Sequence, residues 1–544
     1  MTISPESVTC AGGLPGVSPA TGGLRLETAL KGRWGRLLIP SLSDLFFVAV
    51  LGWLFVSGAG GWMGLLADGD TGWHIRTGEY ILDHHSVPHT DLYSFSKPDA
   101  PWFAWEWLSD VAFALAFRAG GLKGVVLLAG VTISLFAVLL LRWMIWSGAG
   151  MFVALLVGLL SVGAASVHFL ARPHVFTMLF LVVSLWLVAA DRRVRSARVW
   201  WLLPLAALWT NLHGGFLVLI VCLGLLAAGS GIEGWLYGAG GPRRWTPFWR
   251  YLGLTGATAA ATLVNPYGIG LHRHILQYLQ SDWIRNVVQE FQSPSFRNEN
   301  VRQYEILLLA GLVTAGLLLR RRSIVEFLWI VTFAHLSLTS VRHATIFVTI
   351  AAPLIAVELA RGWALVAGKA PRRSVFLIFD SMARDLNGAF RRASVWPVVV
   401  VLALVAIDKP IAWPADFPAL TFPVGIVNRH GAEIVRSRIF TEDQWADYLI
   451  YRFYPREHVF IDGRSDFYGS ALGNEYLQLV QGNYRWAGLL TRYRFDMALI
   501  PVEWPLSQLL KLDPGWRVVE DDGHAILFAT RLPGGDGAHG AYKD

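Results

Sequence analysis

Residues 44–79 read DLFFVAVLGWLFVSGAGGWMGLLADGDTGWHIRTGE. An apolar block near 44–66 runs straight into Ala67-Asp68-Gly69-Asp70-Thr71-Gly72-Trp73-His74-Ile75-Arg76-Thr77-Gly78-Glu79. A hydrocarbon core of roughly 30 Å takes about 20 apolar residues to cross, so the block predicts a membrane span. The residues before it are rich in Gly, Pro and Ser and then basic, without the layout of a cleavable leader, and the block reads as an uncleaved signal anchor. Two carboxylates separated by one glycine therefore stand at the mouth of the first span.

The rest of the chain repeats this pattern. Of 544 residues, 54% are hydrophobic and only 16% charged, too little polar surface for a soluble protein of this size. Apolar blocks recur near 122–141, 150–170, 175–190, 199–210, 214–237, 250–264, 304–319, 324–340, 344–366 and 395–407. The fold class is mainly α: a polytopic bundle of about eleven transmembrane helices. Trp is abundant, with 25 residues, many at block ends where the ring favours the headgroup level.

The cationic residues orient the bundle. Arg25, Lys31, Arg33 and Arg36 precede the first block. Arg142, then Arg192, Arg193, Arg195 and Arg198, then Arg243, Arg244 and Arg250, then Arg320, Arg321 and Arg322, then Lys369, Arg372, Arg373, Arg384, Arg391 and Arg392 occupy every second connection. The positive-inside rule places these connections in the cytoplasm, with the N-terminus inside and the C-terminus outside. The net charge of +7 has this source, and its spread over short loops excludes a nucleic-acid surface. Cys10 and Cys222 are too isolated for a structural disulfide or a cysteine metal site. The organisation is a cytoplasmic tail over 1–43, a bundle over 44–408 with a long first outer loop at 67–121, an outer domain over 409–532 and a Gly-rich, disordered tail at 533–544. Strand-like runs at Arg438–Thr441, His458–Ile461, Phe495–Ile500, Trp516–Glu520 and His524–Ala529, alternating with helical stretches, predict a small α/β domain.

The outer connections carry polar residues that topology does not require. If a helix starts near Thr71, Asp70 caps it and shares a face with His74, and the intervening glycine lets backbone approach a ligand. Asp68 and Asp70 could bind a divalent cation or accept a proton from a hydroxyl, or simply cap the helix. Later in the loop, Trp102-Phe103-Ala104-Trp105-Glu106-Trp107-Leu108-Ser109-Asp110 reads as an interfacial amphipathic helix. Burial among these rings would raise the pKa of Glu106 toward acid/base work. Arg172, His174, His213, Arg342 and His343 each adjoin a helix end on the outer side, where Arg can grip phosphate in bidentate fashion or snorkel to headgroups. His272 and His274 have no carboxylate near them in sequence, and Glu290 is one more acid in the outer loop at 265–303.

On these features the chain resembles the GT-C superfamily of polytopic glycosyltransferases, which includes protein mannosyltransferases, aminoarabinose transferases and oligosaccharyltransferase catalytic subunits. The resemblance rests on the acids just after helix one, the long first outer loop, the helix number and the domain after the last helix. Asp68 and Asp70 are the residues that match a family motif; a second DxD and a WWD motif are absent from the sequence. The resemblance implies a multi-pass enzyme of the bacterial inner membrane. It would transfer a hexosyl or pentosyl group, with inversion, from a polyprenyl-phosphate sugar to a lipid, glycan or protein acceptor on the extracytoplasmic side. It further implies Asp70 or Asp68 as base or as ligand to magnesium or manganese, Glu106 as a catalytic acid or base, and Arg172, Arg342 and His213, with His174 and His343 beside them, on the phosphate. Competing readings are a polymerase, ligase or flippase-like component of envelope polysaccharide assembly, and a non-catalytic scaffold using the Asp462–Asp466 turn. A secondary transporter fits less well, because the ionisable groups cluster at helix ends rather than at the midplane.

Overall fold

A computed structural model of the chain describes residues 37–57, 61–238, 240–297, 301–369, 371, 374–390, 394–407 and 412–531. The tails expected at 1–43 and 533–544 fall wholly or mostly outside the described residues, as do Arg372, Arg373, Arg391 and Arg392. The described chain is mainly helical. Among the described residues six helices are long and apolar enough to cross a membrane: Trp107–Ser147, Met151–His168, His174–Arg193, Phe216–Tyr237, Arg302–Arg320 and Val341–Lys369. Shorter apolar helices cover Leu42–Phe55, Ile324–Thr339 and Trp396–Ala406. The most apolar stretch of Trp107–Ser147 is 72% buried against 39% for Arg302–Arg320, which makes the former the central helix and leaves the latter an apolar outer face carrying Leu309, Leu312 and Val313. Such a face suits lipid.

Several blocks differ from their sequence reading. The first block is not one rod: the Leu42–Gly52 helix, capped by Ser41, loosens into a π turn at Trp53–Ser57, and Trp62–Leu65 forms a separate short helix. In the block near 199–210, Pro204 sits in the first turn of the Leu202–Thr210 helix. The boundary expected near 122 is a bend inside a helix. Gly121 adopts φ 60°, so Trp107–Ser147 leaves the bundle at that point and its first turns form an arm of the outer loop.

The outer loop is thus largely helical. Its first helix, Asp70–His84, lies between the Trp107–Ser147 arm and a helix of the C-terminal region, Asp443–Phe453. The glycines of the 67–79 stretch explain the closeness. A Cβ on Gly72 would stand 2.6 Å from the Asp447 carbonyl, one on Gly69 2.3 Å from that of Gln444, and one on Gly78 1.9 Å from that of Asp110. The expectation that glycine here lets backbone approach a ligand is corrected: the backbone it admits is the protein's own.

The C-terminal region carries a four-stranded sheet in the order β1-β2-β4-β3, with β1 at Ile439–Thr441, β2 at Met497–Pro501, β3 at Trp516–Asp521 and β4 at Ala525–Thr530. β1 runs parallel to β2, and β4 is antiparallel to both β2 and β3. The run at His458–Ile461, expected as a strand, stays outside this sheet. Val459 instead exchanges backbone hydrogen bonds with the outer loop, donating to the Tyr93 carbonyl and accepting from the Phe95 amide. Sheet and loop are further joined by Arg464, whose buried guanidinium pairs with Asp462 and with Asp91 at 2.7 Å.

At the other end of the bundle the basic connections meet acids of neighbouring helices. Arg192 pairs with Glu326 and Glu233, Arg250 with Asp191, and Arg321 and Arg361 with Glu358.

Candidate active site

Where the ends of several helices converge, a cavity of about 210 Å³ is lined by Asp70, Glu106, Arg172, His174, His213, Arg342 and His343. Residues spread over 270 positions of sequence are gathered by short local devices. Arg172 precedes Pro173, the N-cap of the His174–Arg193 helix, and so projects from its start. Trp107 donates from Nε1 to Asn211 Oδ1 at 2.8 Å, the Leu108 amide to the Asn211 carbonyl, and Ser109 Oγ to the Leu212 carbonyl at 2.6 Å. These three bonds hold Glu106 beside His213. The stretch around Glu106 is not the amphipathic helix expected from its three tryptophans: Glu106 is the N-cap, and the helix begins at Trp107.

Arg172 is the electrostatic centre. Its Nη2 lies 2.5 Å from Asp70 Oδ2, and its Nη1 lies 2.8 Å from both Asp68 Oδ2 and Glu290 Oε1. Asp68, which does not line the cavity, is thereby tied to it, and its Oδ1 accepts the Asp70 amide at 2.9 Å. Gly69 is the N-cap and Asp70 the first helical residue, so the capping carboxylate is Asp68, not Asp70. Glu290 bridges to the second arginine, with Arg342 Nε 3.4 Å away, while Arg342 Nη1 donates to the Tyr278 hydroxyl at 3.1 Å. Burial works against ionising Glu290, but Arg172 and Arg342 together outweigh it and hold the carboxyl below the usual range. For Asp68 and Asp70 burial dominates, and their pKa values rise despite Arg172.

His74 does not pair with Asp70 across a helix turn, as the sequence suggested. It is wholly buried, and its Nδ1 makes a 2.6 Å hydrogen bond with Asp110 Oδ1. Its Nε2 faces Glu106 Oε2 at 3.7 Å, and His213 Nε2 faces Glu106 Oε1 at 3.5 Å. Burial first, then proximity to Asp466 and Asp70, pushes Glu106 up to about 8 against the pull of Arg172 and Arg342. His174 and His343 point ring nitrogens at backbone carbonyls, of His168 and Leu336. His274, which lacks a carboxylate near it in sequence, hydrogen-bonds Asp466 Oδ2 at 2.9 Å from the C-terminal region.

Asp447 escaped sequence reasoning. It is fully buried, its Oδ2 has no partner, and Asp70 Oδ1 has none either. Both oxygens press on Gly463. Asp110 and Arg464 were also not singled out as site residues, whereas Glu290 was named as one more acid of the outer loop. Among the described residues no group of three or more His, Cys, Asp or Glu stands at metal-binding spacing.

The polar end of the cavity continues into an apolar wall of Met178, Leu181, Leu217, Val218 and Ile346, contributed by three of the long helices. Trp102, Trp105 and Gly463–Asp466 also line the cavity.

No family model and no curated protein matches the chain. Among solved structures it is similar to the archaeal oligosaccharyltransferase AglB from Archaeoglobus fulgidus in complex with an inhibitory peptide and a dolichol-phosphate. The TM-score is 0.54 at 11% identity, covering 85% of this chain and 69% of that one. It is also similar to the Archaeoglobus fulgidus oligosaccharyltransferase in the apo form, with a TM-score of 0.51 at 11% identity, covering 89% and 70%. At this identity the likeness is one of fold alone.

Proposed function

We propose that the chain is a membrane glycosyltransferase of the GT-C superfamily, moving a sugar from a polyprenyl-phosphate donor to an acceptor, with inversion, on the extracytoplasmic face. The observation that carries this reading is the two-part cavity: arginines at its head, an apolar wall of helix side chains below. A lipid phosphate needs both, and one of the similar structures holds a dolichol-phosphate.

In this reading the phosphate lies between Arg172 and Arg342, where guanidinium forks can take its oxygens. His213, His174 and His343 wall that end of the cavity. Trp102 and Trp105 offer faces to the sugar. Glu106, with a raised pKa and a place on the cavity wall, is the base that takes the acceptor hydroxyl proton as the bond to the anomeric carbon forms. Asp68 and Asp70 hold Arg172 in place. The donor set that could take magnesium or manganese is Asp70 Oδ1 with Asp447 Oδ2, both buried, unpartnered and of the hard oxygen type such cations take. When bound, the cation would supply positive charge beside the phosphate. Asp68 is less suited, since both its oxygens are engaged.

The topology belongs to the same proposal: about eleven crossings with N-terminus inside and C-terminus outside, a bundle over 44–408, an extracytoplasmic domain over 409–532, and residence in a bacterial inner membrane. Asp70→Asn and Glu106→Gln, purified at full length in nanodiscs and supplied with a panel of polyprenyl-phosphate monosaccharides, should lose sugar release while retaining thermal stability. Wild-type turnover in both variants would sink the assignment.

A further inference from the structure

His74 and Asp110 lie behind the cavity wall, and no step above uses them. Both are wholly buried, and each has one side-chain atom without a partner, His74 Nε2 and Asp110 Oδ2. An orphaned imidazole nitrogen in such a place costs free energy, and a catalytic or positioning task is one reason to keep it. His74 Nε2 is aimed at Glu106 Oε2, 3.7 Å away. Catalytic hydrogen bonds in substrate-free proteins are commonly this long and tighten when substrate binds.

The other oxygen of Glu106 is treated differently. His213 Nδ1 accepts the Gly215 amide at 2.9 Å and sits 2.8 Å from Thr177 Oγ1. Thr177 Oγ1 in turn accepts from Trp209 Nε1, so its own hydrogen is available to His213. An Nδ1 that accepts places the ring proton on Nε2, which faces Glu106 Oε1. Glu106 therefore has a fixed donor on one oxygen and the His74–Asp110 pair on the other.

We infer that Asp110, His74 and Glu106 form a proton relay, in which His74 and Asp110 are positioning residues that ready Glu106 as the base of the glycosyl transfer proposed above. The relay rests on that reading for its purpose but not for its geometry. In one state Asp110 is ionised, His74 donates from Nδ1 to it, and Glu106 is protonated toward His74 Nε2. In the other, Asp110 is protonated toward Nδ1, and His74 donates from Nε2 to an ionised Glu106. One proton moves along the 2.6 Å His74–Asp110 hydrogen bond and one across the 3.7 Å approach of His74 to Glu106 once substrate closes it, none enters or leaves, and Glu106 becomes a carboxylate inside a buried site. It then takes the acceptor hydroxyl proton as the acceptor oxygen bonds to the anomeric carbon. The bond from that carbon to the phosphate oxygen breaks, and its electron pair departs on the phosphate between the arginines. Glu106 afterwards releases the proton to water in the cavity.

The charged and titratable groups facing Glu106 are His74, His213, Arg172, Arg342, Asp466 and Asp70; those facing His74 are Asp110, Glu106, Arg172, His213 and His174.

The test is infrared titration of the carboxyl bands in full-length protein in nanodiscs, with bands assigned by Glu106→Gln and Asp110→Asn. With His74 present, Asp110→Asn should move the Glu106 midpoint by about one pH unit or more, as strongly interacting sites do. In a His74→Gln background the same substitution should leave the midpoint in place. An unmoved Glu106 midpoint in Asp110→Asn, or an equal shift with and without His74, overturns the relay. Should Asp110→Asn fail to fold, Glu106→Gln closes the same cycle from the other end, read on the Asp110 band. Binding of undecaprenyl phosphate, measured separately, tests the lipid-phosphate reading: its absence in wild-type protein would remove the relay's purpose while leaving the coupling result standing.

Discussion

Gly463 stands directly on the carboxylate of Asp70: a Cβ at Gly463 would lie 2.0 Å from Asp70 Oδ1 and 2.8 Å from Asp447 Oδ2. The first outer loop and the C-terminal region therefore close on each other at the candidate site with no room for a methyl group. Neither carboxylate can swing away cheaply, because Asp70 is held by Arg172 and Asp447 accepts the Gly463 amide at 3.1 Å. Gly463→Ala is expected to destabilise the folded protein by about 1–3 kcal/mol, the usual cost of overpacking, and to lower activity with it. Unfolding in detergent, followed by tryptophan fluorescence, checks this; an unchanged midpoint would show that the contact is slack.

Burial, which disfavours the charged form, pushes the Glu106 carboxyl up to about 8. A base works only when ionised, so in His74→Gln, where no internal transfer can ionise it, transfer should rise as pH climbs through that value and be weak below about 7. Glu106→Gln should remove both the rise and most of the rate. A rate that falls over the same interval would assign Glu106 the role of acid.

Glu290 bridges Arg172 and Arg342, the position a phosphate oxygen would take. Incoming lipid phosphate must compete with it. Glu290→Gln should tighten binding of undecaprenyl phosphate about fivefold, corresponding to roughly 1 kcal/mol for a weakened charge-assisted contact in a partly exposed site. Weaker binding in the variant would mean that Glu290 holds the arginines in place rather than competing for them.

Arg464 is buried between Asp462 and Asp91. Arg464→Met leaves two buried carboxylates without a counter-charge, an imbalance worth about 3–5 kcal/mol. Limited proteolysis should then clip the C-terminal region from the bundle. Adding Asp91→Asn should restore part of the resistance, because one of the two stranded charges is gone. Equal protease resistance in wild type and Arg464→Met would show that other contacts hold the two parts together.

The membrane-crossing character of the chain was legible in the sequence, because apolar length is a local property that a stretch such as 304–319 displays on its own. So was the concentration of Asp70, Glu106, Arg172 and Arg342 at helix ends, where topology alone required nothing. The bend at Gly121 was not legible, since a glycine pair in an apolar helix reads the same whether straight or broken. The strand expected at His458–Ile461 failed for a related reason: its pattern suits pairing, but its partner is Tyr93–Phe95 in the outer loop rather than the sheet.

Sequence by itself determined which residues are unusual; tertiary structure decided what each one touches. The glycine at 69 looked like room for a ligand and is room for the chain, because its amide meets Gln444 some 375 residues later. His74 had a carboxylate four residues away in Asp70 and chose another in Asp110. Periodicity ranks neighbours along one helix, whereas a hydrogen bond goes to whichever group packing brings within about 3 Å. That packing, between an outer loop and a region at the far end of the chain, is what makes the scattered polar residues a site.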